Sequence, residues 1–435
     1  MKKKVLIVGA GAREHALTWK LAQSPQKPEL FVAPGNGGTA AIIQNVPMAT
    51  TDIEGLLKFA KENRIDLTIV GPDDPLAVGI VDRFQKEGLR IFGPTRAAAQ
   101  IEWSKVFAKN LMRDAGVPTA AYRTFISSKE ASAYIANCAL PVVVKASGLA
   151  LGKGVFICKT RGEAEAALRQ IMVEKAFKEA GNEVVIEEFL EGPEISMHAF
   201  CDGKTAKMLP VSQDHKTIFD NDEGQNTGGM GTIAPLPWVS KETIDEVYAR
   251  VVVPMLKGLK EQGAPFMGCL YPGLKMTPQG MKVLEFNARF GDPETQVYMR
   301  LLKTDLLDII ESCIDGTLER QSIEWHSGFA ACIVAASGGY PGQYEKGKEI
   351  AGIETAERLD GVVVFHAGTE DRNGKLLTAG GRVLGVTAVA DTLEAALKRA
   401  YGGMERIRFE GMQYRRDIGA KSLKTLHSNA GSDVR

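Results

Sequence analysis

Over the first hundred residues, short apolar runs closed by glycine- or proline-rich turns alternate with amphipathic stretches. Val5–Val8, Leu30–Ala33, Leu67–Val70 and Arg90–Phe92 have the length and composition of buried strands, and the turns after them read GAGAREHA, PGNGGTA, GPDDPLAVG and GPTRAAA. Strands that alternate with helical segments in this way build a parallel α/β sheet. Ligands of such sheets sit beyond the carboxyl ends of the strands, so these turns form a candidate binding edge. After Trp103 the texture changes. Ser104–Ala115 has a helical pattern that Gly116 and Pro118 bring to a stop. Pro141–Lys145 predicts a strand running into SGLALGKG, Val184–Phe189 a second, and Met281–Phe286 a third after the turn residues Pro278, Gln279 and Gly280. From Phe329 the chain is β-rich in ACIVAAS, VVVFHAG and RVLGVTAV, and Leu393–Arg408 returns to a helical pattern. The closing SNAGSDVR is polar and is expected to be disordered.

A chain of 435 residues is too long for one core, and at ~150 residues per domain about three domains are expected. The 53 basic residues balance 53 acidic ones, which argues against a nucleic-acid polymer as partner. Six cysteines (Cys138, Cys158, Cys201, Cys269, Cys313, Cys332) form no C-x-x-C pair and no zinc spacing. MKKKVLIVGAGA sets basic residues before apolar ones, but the apolar run Val5–Val8 is too short for a secretory signal. No stretch approaches the ~18 apolar residues of a membrane helix. A cytoplasmic enzyme is the expectation, with no membrane, nucleic-acid or obligate protein partner.

Gly9-Ala10-Gly11-Ala12-Arg13-Glu14 begins like a dinucleotide fingerprint. Glu14 stands where the third glycine belongs, and the second strand lacks its acidic residue, so a nicotinamide cofactor is not expected. A phosphate held by backbone N–H groups, or a tight turn with no ligand, both remain open there. Gly35-Asn36-Gly37-Gly38-Thr39 is a second donor-rich loop at the same edge. Lys145 closes an apolar strand, where a buried ammonium needs an anion. The glycines that follow suit a hairpin folding over phosphates, although no Walker A spacing is present. Val184–Phe189 runs into acids in the manner of a nucleotide linker. In Leu284-Glu285-Phe286-Asn287-Ala288-Arg289, a strand would set Glu285, Asn287 and Arg289 on one face. Glu285 and Asn287 are hard oxygen donors suited to Mg²⁺, and Arg289 could neutralise a phosphoryl group in transfer. His15 and His215 have no partner visible in sequence and are not needed for this chemistry.

GAGAREHAL, VAPGNGGTA, IFGPT, SKVFAK, GVPTA, VVVKASGLALGKGV, VIEEFLEG, SQDHK, NTGGMG, EFNARFGDPE, GYPG, FHAGT and GGRVLGVTA follow one another as in the phosphoribosylamine–glycine ligase family of ATP-grasp enzymes, which the chain resembles to about Ala420. The resemblance implies an α/β and α+β multidomain protein. Its parts would be an N-terminal parallel α/β domain (1–103), an ATP-grasp module (104–325, lid subdomain about 120–192), a β-rich C-terminal domain (326–425) and a disordered tail (426–435). It implies ATP as co-substrate, Mg²⁺ or Mn²⁺ as cofactor, and a reaction joining glycine to 5-phosphoribosylamine through a glycyl phosphate in purine biosynthesis. Another ATP-grasp carboxylate–amine ligase, or a carboxylase-like enzyme, is the alternative. Carried over by position, Lys105, Lys145 and Lys153 would contact ATP phosphates, with the loop through Lys153 as a lid. Glu187 and Leu190 would meet adenine, and Glu194 the ribose. Glu285 and Asn287 would hold the metal, with Arg289 and Lys145 as catalytic residues. Gly11, Asn36, Gly38, Asp73, Asp214, Lys216, Gly229 and Asp292 would line the substrate side. Three positions depart from the family's usual pattern: Ser147 for an acid, Asp73 for a glutamate and Trp103 for a glycine.

Overall fold

The structure, a computed structural model, describes residues 2–148 and 154–430. Residues 149–153, and with them Lys153 and the tip of the expected lid, lie outside the described residues.

The apolar runs of the first hundred residues form a five-stranded parallel sheet in the order Gln44–Asn45, Glu29–Pro34, Lys4–Gly9, Leu67–Val70, Ile91–Phe92. Helices cover both faces of such a sheet, which is why its strands read as unbroken apolar runs. Val5 to Val8 are fully buried. The first strand lies between the second and fourth, with Val8 level with both Ala33 and Val70. The GAGARE and GPDDP turns therefore flank the point where strand order reverses, with PGNGG beside GAGARE on its other side.

Two antiparallel sheets follow. The first has the order Tyr122–Phe125, Val184–Glu188, Val142–Ala146, Val155–Cys158. With the helices Ser128–Ile135 and Arg161–Leu168 it closes a small core of its own around Ile135, Val144, Leu168 and Ile186. The second is built on the long strand Met267–Thr277, flanked by Glu194–Ser196 and Ala199–Asp202 and paired with Gly280–Asn287. The helix Lys105–Asp114 begins one residue later than its pattern suggested, because the Ser104 side chain caps it by accepting the Phe107 N–H. Gly116, at φ 69°, turns the chain away where a side chain would be strained.

The C-terminal sheet departs from the linear division of the chain. Phe329–Ala336, Arg382–Ala390 and Val362–His366 are joined by Gly231–Ala234 and Gln213–Asp214, two strands contributed by the central segment. The helix Leu393–Met404, shorter than its periodic pattern, covers this sheet with Leu393, Ala396, Leu397 and Ala400 buried. The expectation of a tail disordered from 426 needs correction: the helix Ala420–Ala430 runs through its first five positions. Ser422 anchors this helix from its buried face, accepting from Trp238 Nε1 and donating to Gln213. No helix among the described residues is long and apolar enough to cross a membrane.

Candidate active site

A cavity of about 580 Å³ opens where the three parts of the chain meet. Its first wall is the small antiparallel sheet. Val143 stands opposite Glu187, so Lys145 and Glu187 are diagonal neighbours on one face. Lys145 is ion-paired to one oxygen of Glu187, and Lys109, from the helix Lys105–Asp114, lies 2.6 Å from the other. Burial works against the charge on Glu187, but the two ammonium groups together hold its pKa below the usual carboxylate range. The anion that a strand-end lysine requires is thus supplied by the protein itself. Glu187 neutralises two lysines in this arrangement. Leu190 and Glu194 line the same wall, and Lys105 stands at its edge with burial lowering its pKa.

The facing wall carries Glu285 and Asn287, which are level with Gly273 and Tyr271 of the partner strand. Lys216 Nζ lies 3.4 Å from Glu285 Oε1, and Lys275 Nζ 3.1 Å from Glu194 Oε1. Despite burial, Lys216, Lys105 and Lys145 hold Glu285 down at about 2, so it stays ionised. The strand ends at Asn287, and Arg289 lies just beyond it. Arg289 still reaches the same region, donating to Asn287 Oδ1 at 3.3 Å and to the Phe290 carbonyl at 3.1 Å. Glu285 and Asn287 are hard oxygen donors facing one cavity, which fits a divalent cation completed by phosphate oxygens and water. Among the described residues no group of three or more His, Cys, Asp or Glu could hold a metal ion by itself.

The third corner joins central and C-terminal parts. Arg382 donates to the carbonyls of Gly228 and Asp292, both at 2.7 Å, and lies 3.4 Å from the Asp292 carboxylate. Asp214 Oδ1 is buried and has no hydrogen-bond partner among the described residues. Burial, reinforced by nearby Glu294, pushes Asp214 well above the usual range. Behind it, Tyr271 donates to Glu294 and stacks on His198, whose Nδ1 meets the Tyr298 hydroxyl at 2.9 Å.

Twelve of the sequence-predicted residues reach the cavity: Asp73, Lys105, Lys145, Glu187, Leu190, Glu194, Asp214, Lys216, Glu285, Asn287, Arg289 and Asp292. Gly11, Asn36, Gly38 and Gly229 do not line it. The Gly11 N–H, expected to face a ligand, donates instead to the Glu14 carboxylate at 2.6 Å. Glu14 is almost fully buried, and a Cβ at Gly9 or Gly71 would overlap it. This turn is capped by Glu14, and its glycines make room for that side chain. Asn36 is committed in the same way. Its Oδ1 accepts from Gly38 and Thr39, and its amide donates to the carbonyls of Ala10 and His366. Gly38 consequently sits under that cap, while Gly229 borders Asp214 from behind, where a Cβ would stand 2.6 Å from Oδ1. Sequence reasoning missed Arg13, Glu102, Lys109, Tyr271, Glu294 and Arg382, all on the cavity wall. A lysine one helical turn after Lys105 was the available signal for Lys109; the others had none of comparable strength.

Three consecutive matches cover almost the whole chain. Residues 3–102 match the N domain of phosphoribosylglycinamide synthetase, 103–295 its ATP-grasp (A) domain and 330–421 its C domain. The chain belongs to this family. It is 49% identical to a phosphoribosylamine–glycine ligase of Rhodopirellula baltica, with 98% of this chain and 99% of that protein covered. It is 47% identical to the one from Pasteurella multocida, over 98% of this chain and all of that protein. A trifunctional purine biosynthetic protein of Homo sapiens is 47% identical over 98% of this chain, which spans 42% of that protein. Among solved structures, a phosphoribosylamine–glycine ligase of Thermotoga maritima superposes with TM-score 0.85 at 35% identity, over 95% of this chain and 100% of that one. An N5-carboxyaminoimidazole ribonucleotide synthetase of the same organism shares the fold at TM-score 0.64 and 19% identity, covering 94% of this chain and 99% of that one. The three-part family architecture accounts for the parallel sheet, the pair of antiparallel sheets and the C-terminal antiparallel sheet.

Proposed function

We propose that this chain is an ATP-dependent ligase that joins glycine to 5-phosphoribosylamine, forming ADP and phosphate, in the cytoplasmic synthesis of purines. The observation that carries this reading is the meeting of Lys105, Lys145, Glu285, Asn287 and Arg289 on one cavity, in a chain that matches the family over residues 3–295 and 330–421. A carboxylate is a poor acyl donor, because oxide is a bad leaving group. Transfer of the ATP γ-phosphoryl group to the glycine carboxylate gives a glycyl phosphate. The amine of phosphoribosylamine attacks its carbonyl carbon, the C–O bond to phosphate breaks, and the amine proton is lost. Glu285 and Asn287 would hold the divalent cation, Mg²⁺ or Mn²⁺, which supplies charge neutralisation on the phosphates. Lys105 and Lys145 contact the phosphates, and Arg289 neutralises the charge of the group in transfer. The walls around the cavity keep water from the acyl phosphate. Leu190 and Glu194, on the first wall, bind the nucleoside end, while Asp214, Lys216 and Asp292 face the acceptor side.

The test is glycine carrying heavy oxygen in its carboxylate, with phosphoribosylamine generated in place. One label per turnover should pass to inorganic phosphate, and ADP release should require glycine. Unlabelled phosphate beside genuine product would remove the acyl phosphate but leave the ligase. ADP release with bicarbonate in place of glycine would favour the carboxylase-like alternative.

A further inference from the structure

Arg289 stands outside regular structure, two residues past the end of its strand, yet a phosphoryl-neutralising arginine has to be held to a fraction of an ångström. The group that holds it comes from the other end of the site. Glu102 lies in the last turn of the helix Arg96–Trp103, which closes the N-terminal domain. One of its carboxylate oxygens is 3.0 Å from Arg289 Nη2, and the other accepts the backbone N–H of Ala288 at 2.7 Å. A single carboxylate thus clamps both the guanidinium and the backbone N–H of the residue before it. Both side chains are largely buried, so the pair is little weakened by water. The remaining contacts of the arginine, to Asn287 Oδ1 and the Phe290 carbonyl, are made within its own segment and cannot fix that segment against the rest of the protein.

We propose that Glu102 is the positioning residue for Arg289: it sets the guanidinium against the reacting phosphate from the N-terminal domain, without touching substrate itself. This rests on the reading of Arg289 given above. It also makes the family's N-terminal domain part of the phosphoryl-transfer machinery, beyond any role in holding the acceptor.

The experiment is a double-mutant cycle of Glu102→Ala and Arg289→Ala, with kcat and KM for ATP and for glycine measured by ADP release. Glu102→Ala should lower kcat by about tenfold to a hundredfold, the scale of losses from small misplacements. KM for ATP should move by less than about threefold, because the lost interaction belongs to transfer and not to binding. In the Arg289→Ala background the same change should cost less than about twofold, since its effect runs through the missing arginine. Glu102→Gln keeps an oxygen for the Ala288 N–H and should recover part of kcat; it also carries the cycle if the alanine variant fails to fold. Losses that multiply in the double variant, or normal kcat in Glu102→Ala beside an impaired Arg289→Ala, would overturn the proposal alone. Full activity of Arg289→Ala would remove the arginine's role and the proposal with it.

Discussion

Glu187 shows how one residue can have a structural duty inside a binding cavity. It is nearly fully buried and ion-paired to Lys145 and Lys109. Removing the shared partner of two buried ammonium groups costs about 3–5 kcal/mol. Glu187→Ala should therefore lower the unfolding free energy by that amount, read in urea as a lower midpoint at unchanged m-value, and a shift within error of zero would contradict the pairing. Glu285 predicts the opposite behaviour. Its side chain is one-third exposed and its ion-pair partner Lys216 is about as exposed, so its loss leaves no fully buried ion pair broken. Glu285→Ala should melt within a few degrees of the parent while turnover falls by about a hundredfold or more, the scale of losing a charge-stabilising group. Normal activity with a normal melt would end its assignment as a metal ligand. The two glutamates look alike in sequence, each at the end of an apolar strand. What separates them is the number of lysines brought around each and the depth at which the pairs lie.

Three buried histidines tie separate elements together, and all must stay neutral. His15, on the first helix, accepts the His366 N–H through Nδ1 at 2.8 Å and so joins the N-terminal domain to the strand Val362–His366. His215 Nδ1 lies 3.1 Å from the Gly231 carbonyl, and its Nε2 accepts the Gly419 N–H. Burial, helped by His366, lowers His15 to about 3. Burial lowers His366 to about 4, and burial with Arg415 nearby lowers His215 to about 4. The unfolded chain, with histidines near ~6.5, binds protons first as pH falls. Stability should be full above about pH 6.5 and decline as pH drops toward 4, each histidine adding up to about 1.4 kcal/mol per pH unit. Urea titrations between pH 7.5 and 4.5 should show this slope. His15→Asn, which keeps an acceptor near Nδ1, should flatten it by up to one proton's share; an unchanged slope would mean the contact does not govern docking.

At the scale of the molecule, one part stands apart. The sheet containing Val142–Ala146 and Val184–Glu188 has its own small core, whereas the other two cores each draw residues from all three parts of the chain. A unit with its own core can move against the rest and should open locally at lower free energy than the body it covers. Hydrogen exchange should be faster in these strands than in Lys4–Gly9 or Phe329–Ala336, and should slow when ATP and Mg²⁺ are added. Equal protection in all three without ATP would argue against a separate lid. The sequence alone determined the elements and most of the polar residues at their ends, because apolar runs, caps and strand-end glycines act over a few residues. It also located Lys145, Glu285, Asn287 and Arg289, since a polar residue closing a buried strand is conspicuous locally. Only the tertiary structure decided how the glycine turns are held, as Glu14 fills the GAGARE turn and Asn36 caps the next one. It alone joined Gln213–Asp214 and Gly231–Ala234 to the C-terminal sheet, and brought Glu102 to Arg289 across the domain boundary. Partner choice between residues so far apart along the chain is set by packing of whole elements, and no local pattern of apolar and polar positions encodes it.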